Sequence, residues 1–581
     1  MTINLVQYLP FLGWMRNYKR GDLPGDLIAG LTIATMLIPQ TMAYALLAGL
    51  PPIVGLYTGI LPVLVYGLLT SSRVLTLGPT AITSVMVLDT IGPLADQGPE
   101  VYLALSFTLA LTLGIVFLLM GLFRLGFIVN VLSQPVLAGY VNAAALIIIF
   151  SQIQNITGIS TERTSRGHEL LLFPLRELDQ LNLTTLGIGL SSLIILFYFR
   201  GGLEKHLQQL RLPTMLIFIL TRSGPLLTIF ITTAIVYLFR LNENNGVRII
   251  GDIPTGFPML GFGPFDFSEM TLIVPGAIAI AFVGFMEAIS TAKSLTAKDR
   301  HPLDPNQELI AMGAANVASV ASGGLACTTS ISRSAVNYTA GAKTGLSSVI
   351  AAIFVGLAVT FFTPLFFFLP QATLAAIIVM SVANLIDTQA VGRFRRYSKG
   401  EPIPFVVTFL GSFFLGIEVG IAAGIFVSGA VQLYRTSRPP IIRLERVWNT
   451  ESYADAVHYD TQVIPTVLIM RIDASLYFAN AQHLDRFLNN AIVEFANTEH
   501  LILVCNAINT LDGSAIEILV DLIMDFEKKG VKIYIAEMKD RVLARVDRVN
   551  FVDRVGEHRF YPTTHAAVLA TGKLDDYVMP I

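Results

Sequence analysis

VYLALSFTLALTLGIVFLLM, residues 101–120, contains no charged side chain. That is the length an α-helix needs to cross the hydrocarbon core of a bilayer, about 20 residues. Similar runs lie on both sides of it. Gly345 to Pro370 is uncharged, and Ile403 to Tyr434 holds one charge, Glu418, over enough length for two spans and a turn. Further spans are predicted near 25–48, 53–70, 126–156, 183–199, 224–239, 271–291, 306–322 and 371–387. The whole chain of 581 residues is 53% hydrophobic and 14% charged, with a mean hydropathy of +0.65. A soluble domain carries about 25% charged residues, so this chain cannot cover its surface in water. A net charge of −2, with the basic residues in loops rather than along one face, gives no case for nucleic-acid binding. Cys327 and Cys505 are too few and too far apart for a disulfide framework or a metal site.

Loop charge sets the expected orientation. Arg16, Lys19 and Arg20 precede the first span. Arg200, Lys205, His206, Arg211 and Arg222 share one later loop, Lys293, Lys298 and Arg300 another, and Arg393, Arg395, Arg396 and Lys399 a fourth. Asp96 and Glu100 have no basic neighbour, residues 241–270 set Arg248 against several acids, and 157–182 is mixed. The opening MTINLVQYLPFLGW is the reverse of a cleavable leader, being apolar before it is basic. Both termini are therefore expected in the cytoplasm, with an even number of crossings between them.

Two stretches interrupt the spans. One is Leu77-Gly78-Pro79-Thr80-Ala81-Ile82-Thr83-Ser84, leading into a short apolar run that stops near Gly92-Pro93. The other is Gly323-Gly324-Leu325-Ala326-Cys327-Thr328-Thr329-Ser330-Ile331-Ser332-Arg333-Ser334. Each has glycine-rich chain, then hydroxyl residues suited to a helix N-cap, then a short helix; Pro79 also suits a first helical position. Broken helices in matching places of two halves point to a transporter's binding site. If the two short helices meet at their N-termini, each presents unpaired amides and about half a positive charge, an anion site without a metal.

Thr80, Thr83, Thr328, Thr329, Ser330 and Ser332 would add neutral donors, and Arg333 a full charge in a planar fork. Against this, membrane hydroxyls often bond only to backbone, and Arg333 can end a span or pair as structure. Glu287 lies deep in an apolar run, where it would carry a coupled proton or form a fixed ion pair, for instance with Arg333. Gln40 follows Pro39 in the first span as a polar ligand, with Tyr44 one turn on to wall the pocket. A plain packing kink at Pro39 is the alternative.

Beyond residue 436 the pattern changes. Val467–Ile472, Leu501–Val504 and Val531–Ala536 read as strands, separated by amphipathic helices near 482–496 and 514–529. This is a small soluble α/β domain without a nucleotide motif. The expected division is an N-terminal segment 1–24, a membrane domain 25–436 and a soluble domain 437–581. No cofactor motif and no catalytic constellation stands out.

Pro52-Ile53-Val54-Gly55-Leu56-Tyr57, Pro62, Tyr66 and Gly78-Pro79-Thr80-Ala81 through Ser84-Val85-Met86 resemble the signature of the SulP family of sulfate permeases. Ile38-Pro39-Gln40-Thr41-Met42-Ala43-Tyr44-Ala45 is similar to that family's first span, and Ser332-Arg333-Ser334 to its segment after the second break. The resemblance implies an all-α polytopic membrane domain of fourteen spans in two inverted seven-span repeats, with core and gate subdomains. It places Gln40, Tyr44, Ala81, Ser332 and Arg333 at the anion site, between the third and tenth spans, and Glu287 at the acidic position linked with proton coupling. It also implies a homodimer and makes the tail a cytoplasmic STAS domain. There Ile508-Asn509-Thr510-Leu511-Asp512-Gly513-Ser514-Ala515 resembles a loop whose serine is phosphorylated in anti-sigma factor antagonists. Ser514 is then a candidate regulatory phosphosite, or a helix cap, since Gly513 and Ala515 depart from that pattern.

The expected function is proton-coupled secondary transport of a small inorganic anion, foremost sulfate, by an elevator motion across the cell membrane. The alternatives are bicarbonate or C4-dicarboxylate transport, sodium-coupled in some cases, a channel, and a membrane-anchored sensor whose STAS domain recruits a cytoplasmic partner.

Overall fold

From Leu23 to Thr436 the computed structural model is almost wholly helical. It describes residues 9–130, 133–159, 166–210, 213, 217, 220–258, 260–296, 303–398, 400–455 and 457–574. The helices are α1 (Leu23–Leu47), α2 (Pro52–Leu69), α3 (Ala81–Ile91), α4 (Pro99–Leu122), α5 (Gln134–Ser151), α6 (Leu183–Gln209) and α7 (Gly224–Phe239). Then come α8 (Met270–Thr296), α9 (Pro305–Ala321), α10 (Ile331–Thr339), α11 (Leu346–Phe361), α12 (Gln371–Val382), α13 (Pro402–Leu415) and α14 (Ile417–Thr436). Among the described residues eight helices are long and apolar enough to span a bilayer, and four shorter apolar helices accompany them. The protein is a multi-pass membrane protein.

Several basic residues read as loop are helical. Arg200 and Lys205 extend α6, Lys293 extends α8, and Arg393, Arg395 and Arg396 sit on Ala390–Tyr397. A helix satisfies its own backbone and can run on past the hydrocarbon. Arg211, Lys298, Arg300 and Lys399 lie outside the described residues, as does the start of the chain.

Packing pairs are reciprocal between the earlier and later helices. α1 packs on α11 as α8 packs on α4, α1 on α10 as α8 on α3, α5 on α13 as α6 on α12, and α2 on α9. Small residues also bring α1 close to α2, and α2 close to the start of α11. A Cβ at Gly55 would run into the Thr41 carbonyl, and one at Gly345 into that of Gly67. Glu308 of α9 is fully buried and accepts from the Tyr66 hydroxyl at 2.8 Å, Thr70 Oγ1 at 2.8 Å, and the Ser71 and Ser72 amides at 2.8 and 3.0 Å. It staples the end of α2, and the chain leading into the first break, to α9.

The chain divides at Ser428, inside α14, whereas composition placed the boundary at 436. The buried residues of α14, Ile417, Gly420, Ile421 and Gly424, all lie in its first half, and Ser428 hydrogen-bonds Ser133 at the start of α5 at 2.8 Å. The second unit is an α/β domain. Its strands are β3 (Ile441–Val447), β4 (Tyr453–Ala454), β5 (Thr461–Gln462), β6 (Val467–Ile472), β7 (His500–Val504), β8 (Lys532–Ala536) and β9 (Phe560–Tyr561), after two short strands in the membrane unit, β1 (Leu77–Gly78) and β2 (Thr328–Thr329). The sheet order is β4-β3-β6-β7-β8-β9, with β6 to β9 parallel and β3 antiparallel to β6. All five residues of β7 are buried, as a parallel strand covered on both faces requires. Ala481–Glu494 and Gly513–Lys528 pack against one face and Thr564–Ala570 against the other.

Candidate functional site

The two interruptions meet. β1 (Leu77–Gly78) pairs antiparallel with β2 (Thr328–Thr329), Leu77 opposite Thr329 and Gly78 opposite Thr328. Each strand runs directly into a short helix, β1 into α3 and β2 into α10. Antiparallel strands leave their crossing in opposite directions, so the two helices start from one place with their N-termini facing. The second interruption is held to its neighbours. Asn316 of α9 accepts from the Cys327 amide at 3.0 Å and donates to its carbonyl at 2.9 Å, and Thr58 accepts from the Leu325 amide at 2.8 Å.

The caps form as the hydroxyls suggest. Thr80 Oγ1 accepts from the Thr83 amide at 3.2 Å, and Ser330 Oγ from the Arg333 amide at 3.4 Å. Pro79 therefore stands one residue before the cap of α3 and not at its first helical position, because Thr80 takes the cap and fixes where the helix begins. The first amides of each helix, at Ala81 and Ile82 and at Ile331 and Ser332, have no partner within their helix. A hydroxyl chain joins the two starts: Thr83 and Thr328 are 2.7 Å apart, Thr80 and Thr328 3.4 Å.

Arg333 stands third in α10 as Thr83 stands third in α3. It is fully buried, and its Nη1 donates to Gln40 Oε1 at 3.1 Å and its Nη2 to the Pro79 carbonyl at 2.9 Å. Gly78 makes room for it. Its φ is +153°, and a Cβ there would lie 3.1 Å from Arg333 Nη2. Gln40 in turn donates to Ser381 of α12 at 3.5 Å, and Tyr44 is buried one turn further along α1. Thr329 is fully buried, Ala81 is buried at the start of α3, and Ser332 is exposed with its hydroxyl 3.3 Å from that of Ser330.

Glu287 reaches the same region from α8. Gly284, one turn before it, sits so near Thr328 that a Cβ would meet that side chain at 2.5 Å. The hydrogen bonds of Arg333 go to Gln40 and Pro79, and among the described residues Glu287 Oε2 has no partner and the two form no ion pair. Thr76 Oγ1, Ser84 Oγ, Thr329 Oγ1 and Arg333 Nε are likewise buried without a hydrogen-bond partner among the described residues. Buried polar groups are normally paired, so this concentration of unpartnered atoms around two facing helix starts is unusual.

Sequence reading missed Ser381, the Pro79 carbonyl and Glu308. Ser381 is a lone hydroxyl in an apolar run, and a backbone carbonyl has no sequence signal. In the second unit Ser514 is exposed and does not cap its helix; Asp512 does, accepting from the Ala515 amide at 2.8 Å. An aspartate two residues earlier reaches the orphan amide first.

The model of the sulfate permease family matches residues 23–408, and that of the STAS domain residues 458–567. Sulfate transporter 4.1, chloroplastic, of Arabidopsis thaliana is 33% identical over 574 residues, covering 96% of this chain and 82% of that protein. High affinity sulfate transporter 1 of Stylosanthes hamata is 30% identical over 591 residues, covering 98% and 87%. Among solved structures, murine Solute Carrier 26 family member A9, an anion transporter in the inward-facing state, has a TM-score of 0.87 at 24% identity over 98% of this chain and 95% of that one. The transmembrane domain of a cyanobacterium bicarbonate transporter, BicA, gives 0.57 at 21% identity over 70% and 98%. Both share the fold. The relatives are transporters and not enzymes, and this chain belongs to the sulfate permease family, with a STAS domain after its membrane helices.

Proposed function

We propose that this protein carries small inorganic anions, foremost sulfate, across a cell membrane together with protons, holding the anion between the starts of α3 and α10. The observation that carries this reading is Arg333. A cation in the first turn of a helix is opposed by the helix dipole, and here it is also fully buried with no carboxylate bonded to it among the described residues. An anion at the facing helix starts relieves both costs at once.

The charges also count correctly. Two helix starts contribute about half a charge each and Arg333 one, roughly +2 in all, which matches a sulfate dianion. Ionised Glu287 reduces this to about +1, and its protonation restores it, so proton and sulfate favour each other's binding. Gln40, Tyr44, Thr80, Ala81, Thr329, Ser330 and Ser332 line or orient the site. The names of the relatives in Arabidopsis thaliana and Stylosanthes hamata support sulfate as the substrate.

Reciprocal packing supports two inverted seven-helix halves and about fourteen spans, with α1–α4 and α8–α11 moving as a core against a gate of α5–α7 and α12–α14. On this reading residues 1–24 and the STAS domain, 437–581, are cytoplasmic, the protein is a homodimer, and Ser514 is open to a kinase. The test is uptake of labelled sulfate into proteoliposomes, faster with an inward proton gradient. No uptake under any gradient sinks the transport reading, and dependence on sodium sinks the proton part. Bicarbonate is the second candidate, because a site that falls to about +1 when Glu287 is ionised suits a monoanion. Competition by bicarbonate that strengthens at alkaline pH would favour it.

A further inference from the structure

The membrane unit carries a second pairing of apolar wall and positive charge, away from the anion site. α6 is an α-helix to Phe197, widens to a π turn over Tyr198–Gly202, and resumes as an α-helix at Leu203. On one side of this turn it is tied to its neighbours. Buried Ser192 hydrogen-bonds Thr373 of α12 at 3.0 Å, and Thr373 donates to Thr232 of α7 at 3.0 Å. Past Ser192 a groove of about 940 Å³ opens, lined by Leu193, Ile194, Phe197, Arg200 and Lys205 and by Met380 of α12.

The two ends of the groove differ in chemistry. Ile194 and Phe197 are 69% and 72% exposed, a surface for hydrocarbon. Arg200 and Lys205 are exposed, and among the described residues neither has an ion-pair partner. Five residues apart, they would point about 140° away from each other on an unbroken α-helix. The π turn, which takes up an extra residue, brings both to the same groove. From Leu193 to Lys205 the helix rises roughly 18 Å at 1.5 Å per residue, room for a headgroup and a good part of an acyl chain.

We propose that this groove binds an anionic phospholipid, its phosphate on Arg200 and Lys205 and one acyl chain along Leu193, Ile194, Phe197 and Met380. A soluble anion would use only the two cations and gain nothing from the apolar wall, whereas a lipid uses both. Unpaired basic residues at the polar boundary of a membrane helix favour anionic headgroups. Occupancy also reaches the transport site. Met380 precedes Ser381, the acceptor of Gln40, so a lipid against Met380 steadies α12 where it meets the Arg333 network. The lipid thereby acts as a positive regulator.

The experiment compares full-length wild type, Arg200→Gln/Lys205→Gln and Met380→Trp, the last filling the groove while keeping both charges. Lipid retention is read by native mass spectrometry with phosphatidylglycerol, and uptake in phosphatidylcholine vesicles with and without phosphatidylglycerol. The expected result is retained phosphatidylglycerol and faster uptake in the wild type. Affinity should fall about 30-fold in the double variant, at about 1 kcal/mol for each cation, and the chain contact should be lost in Met380→Trp. Both variants should keep basal uptake in phosphatidylcholine, which shows that they are folded. Equal retention by wild type and variants overturns the proposal. So does stabilisation by inorganic phosphate that Arg200→Gln/Lys205→Gln abolishes, which would assign the cations to a soluble anion. Retention is measured without substrate, so this outcome is independent of whether sulfate is carried.

Discussion

Replacing Glu287 by Gln tests the charge count at the anion site. The side chain keeps its shape, resembles the protonated acid in carrying both a donor and an acceptor, and loses the ability to ionise. Glu287 is buried, has an oxygen without a protein partner, and shares a helix face with Gly284, which abuts Thr328. At an effective dielectric of about 20, one charge acting on a dianion at a separation on the order of 10 Å would contribute about 3 kcal/mol. Screening by water in an open site reduces this to about 2 kcal/mol, or ~30-fold in affinity. At alkaline pH, where Glu287 is ionised, the variant should bind sulfate more tightly than wild type by up to that factor. Its affinity should no longer weaken as pH rises, because the repelling charge cannot form. The assay is labelled sulfate uptake in proteoliposomes with the interior alkaline, matched or acid, beside sulfate–sulfate exchange without a gradient. Wild type should speed up with an inward proton gradient, while Glu287→Gln should ignore the gradient and still exchange. If the variant remains gradient-driven, Glu287 is not the coupling group and the charge count fails as an account of symport.

Arg333→Gln removes a charged fork whose bonds are worth about 1.5–3 kcal/mol each, so the KM for sulfate should rise at least about 10-fold; a KM within twofold of wild type in folded protein refutes its placement at the anion. Glu308→Gln leaves some of the donors from Tyr66, Thr70, Ser71 and Ser72 unmatched, and should lower stability by about 1–3 kcal/mol, read as a fall in melting temperature. Gly55→Ala drives a methyl into the Thr41 carbonyl beside Gln40, an overpacking cost of about 1–3 kcal/mol; unchanged melting and uptake would show that α1 and α2 have slack there. In the soluble domain, burial pushes the His500 imidazole below its ordinary value of 6.5. The unfolded chain then takes the proton first, so His500 contributes full stability above about pH 6.5 and progressively less as pH falls toward its folded-state pKa. Trp448 fluorescence in a Trp14→Phe background should show this acid-side loss, and His500→Gln should flatten it.

The membrane spans were legible because a bilayer tolerates so few sequences: an uncharged 101–120 can hardly be anything else. The breaks were legible for a related reason, since Gly78, Gly323 and Gly324 followed by hydroxyls are poor span material and good cap material. What local pattern could not supply was partnership across space. Arg333 and Gln40 are 293 positions apart, and nothing near either names the other. Glu308 reads locally as an acid near a helix start, and only the folded chain brings Tyr66 and Thr70 to it. Pro79 shows the limit most clearly. Its place beside a helix start suggested the first helical position, where a missing amide costs nothing. In the fold it lies one residue earlier and offers only a carbonyl, which takes Arg333 Nη2 from the other interruption. Thr328 does the same in reverse, reaching the hydroxyls of Thr80 and Thr83. Each interruption thus completes the other, and neither half of the sequence contains the site by itself. A substitution at Pro79 or Thr328 should therefore be judged by its effect on the opposite helix start before its own.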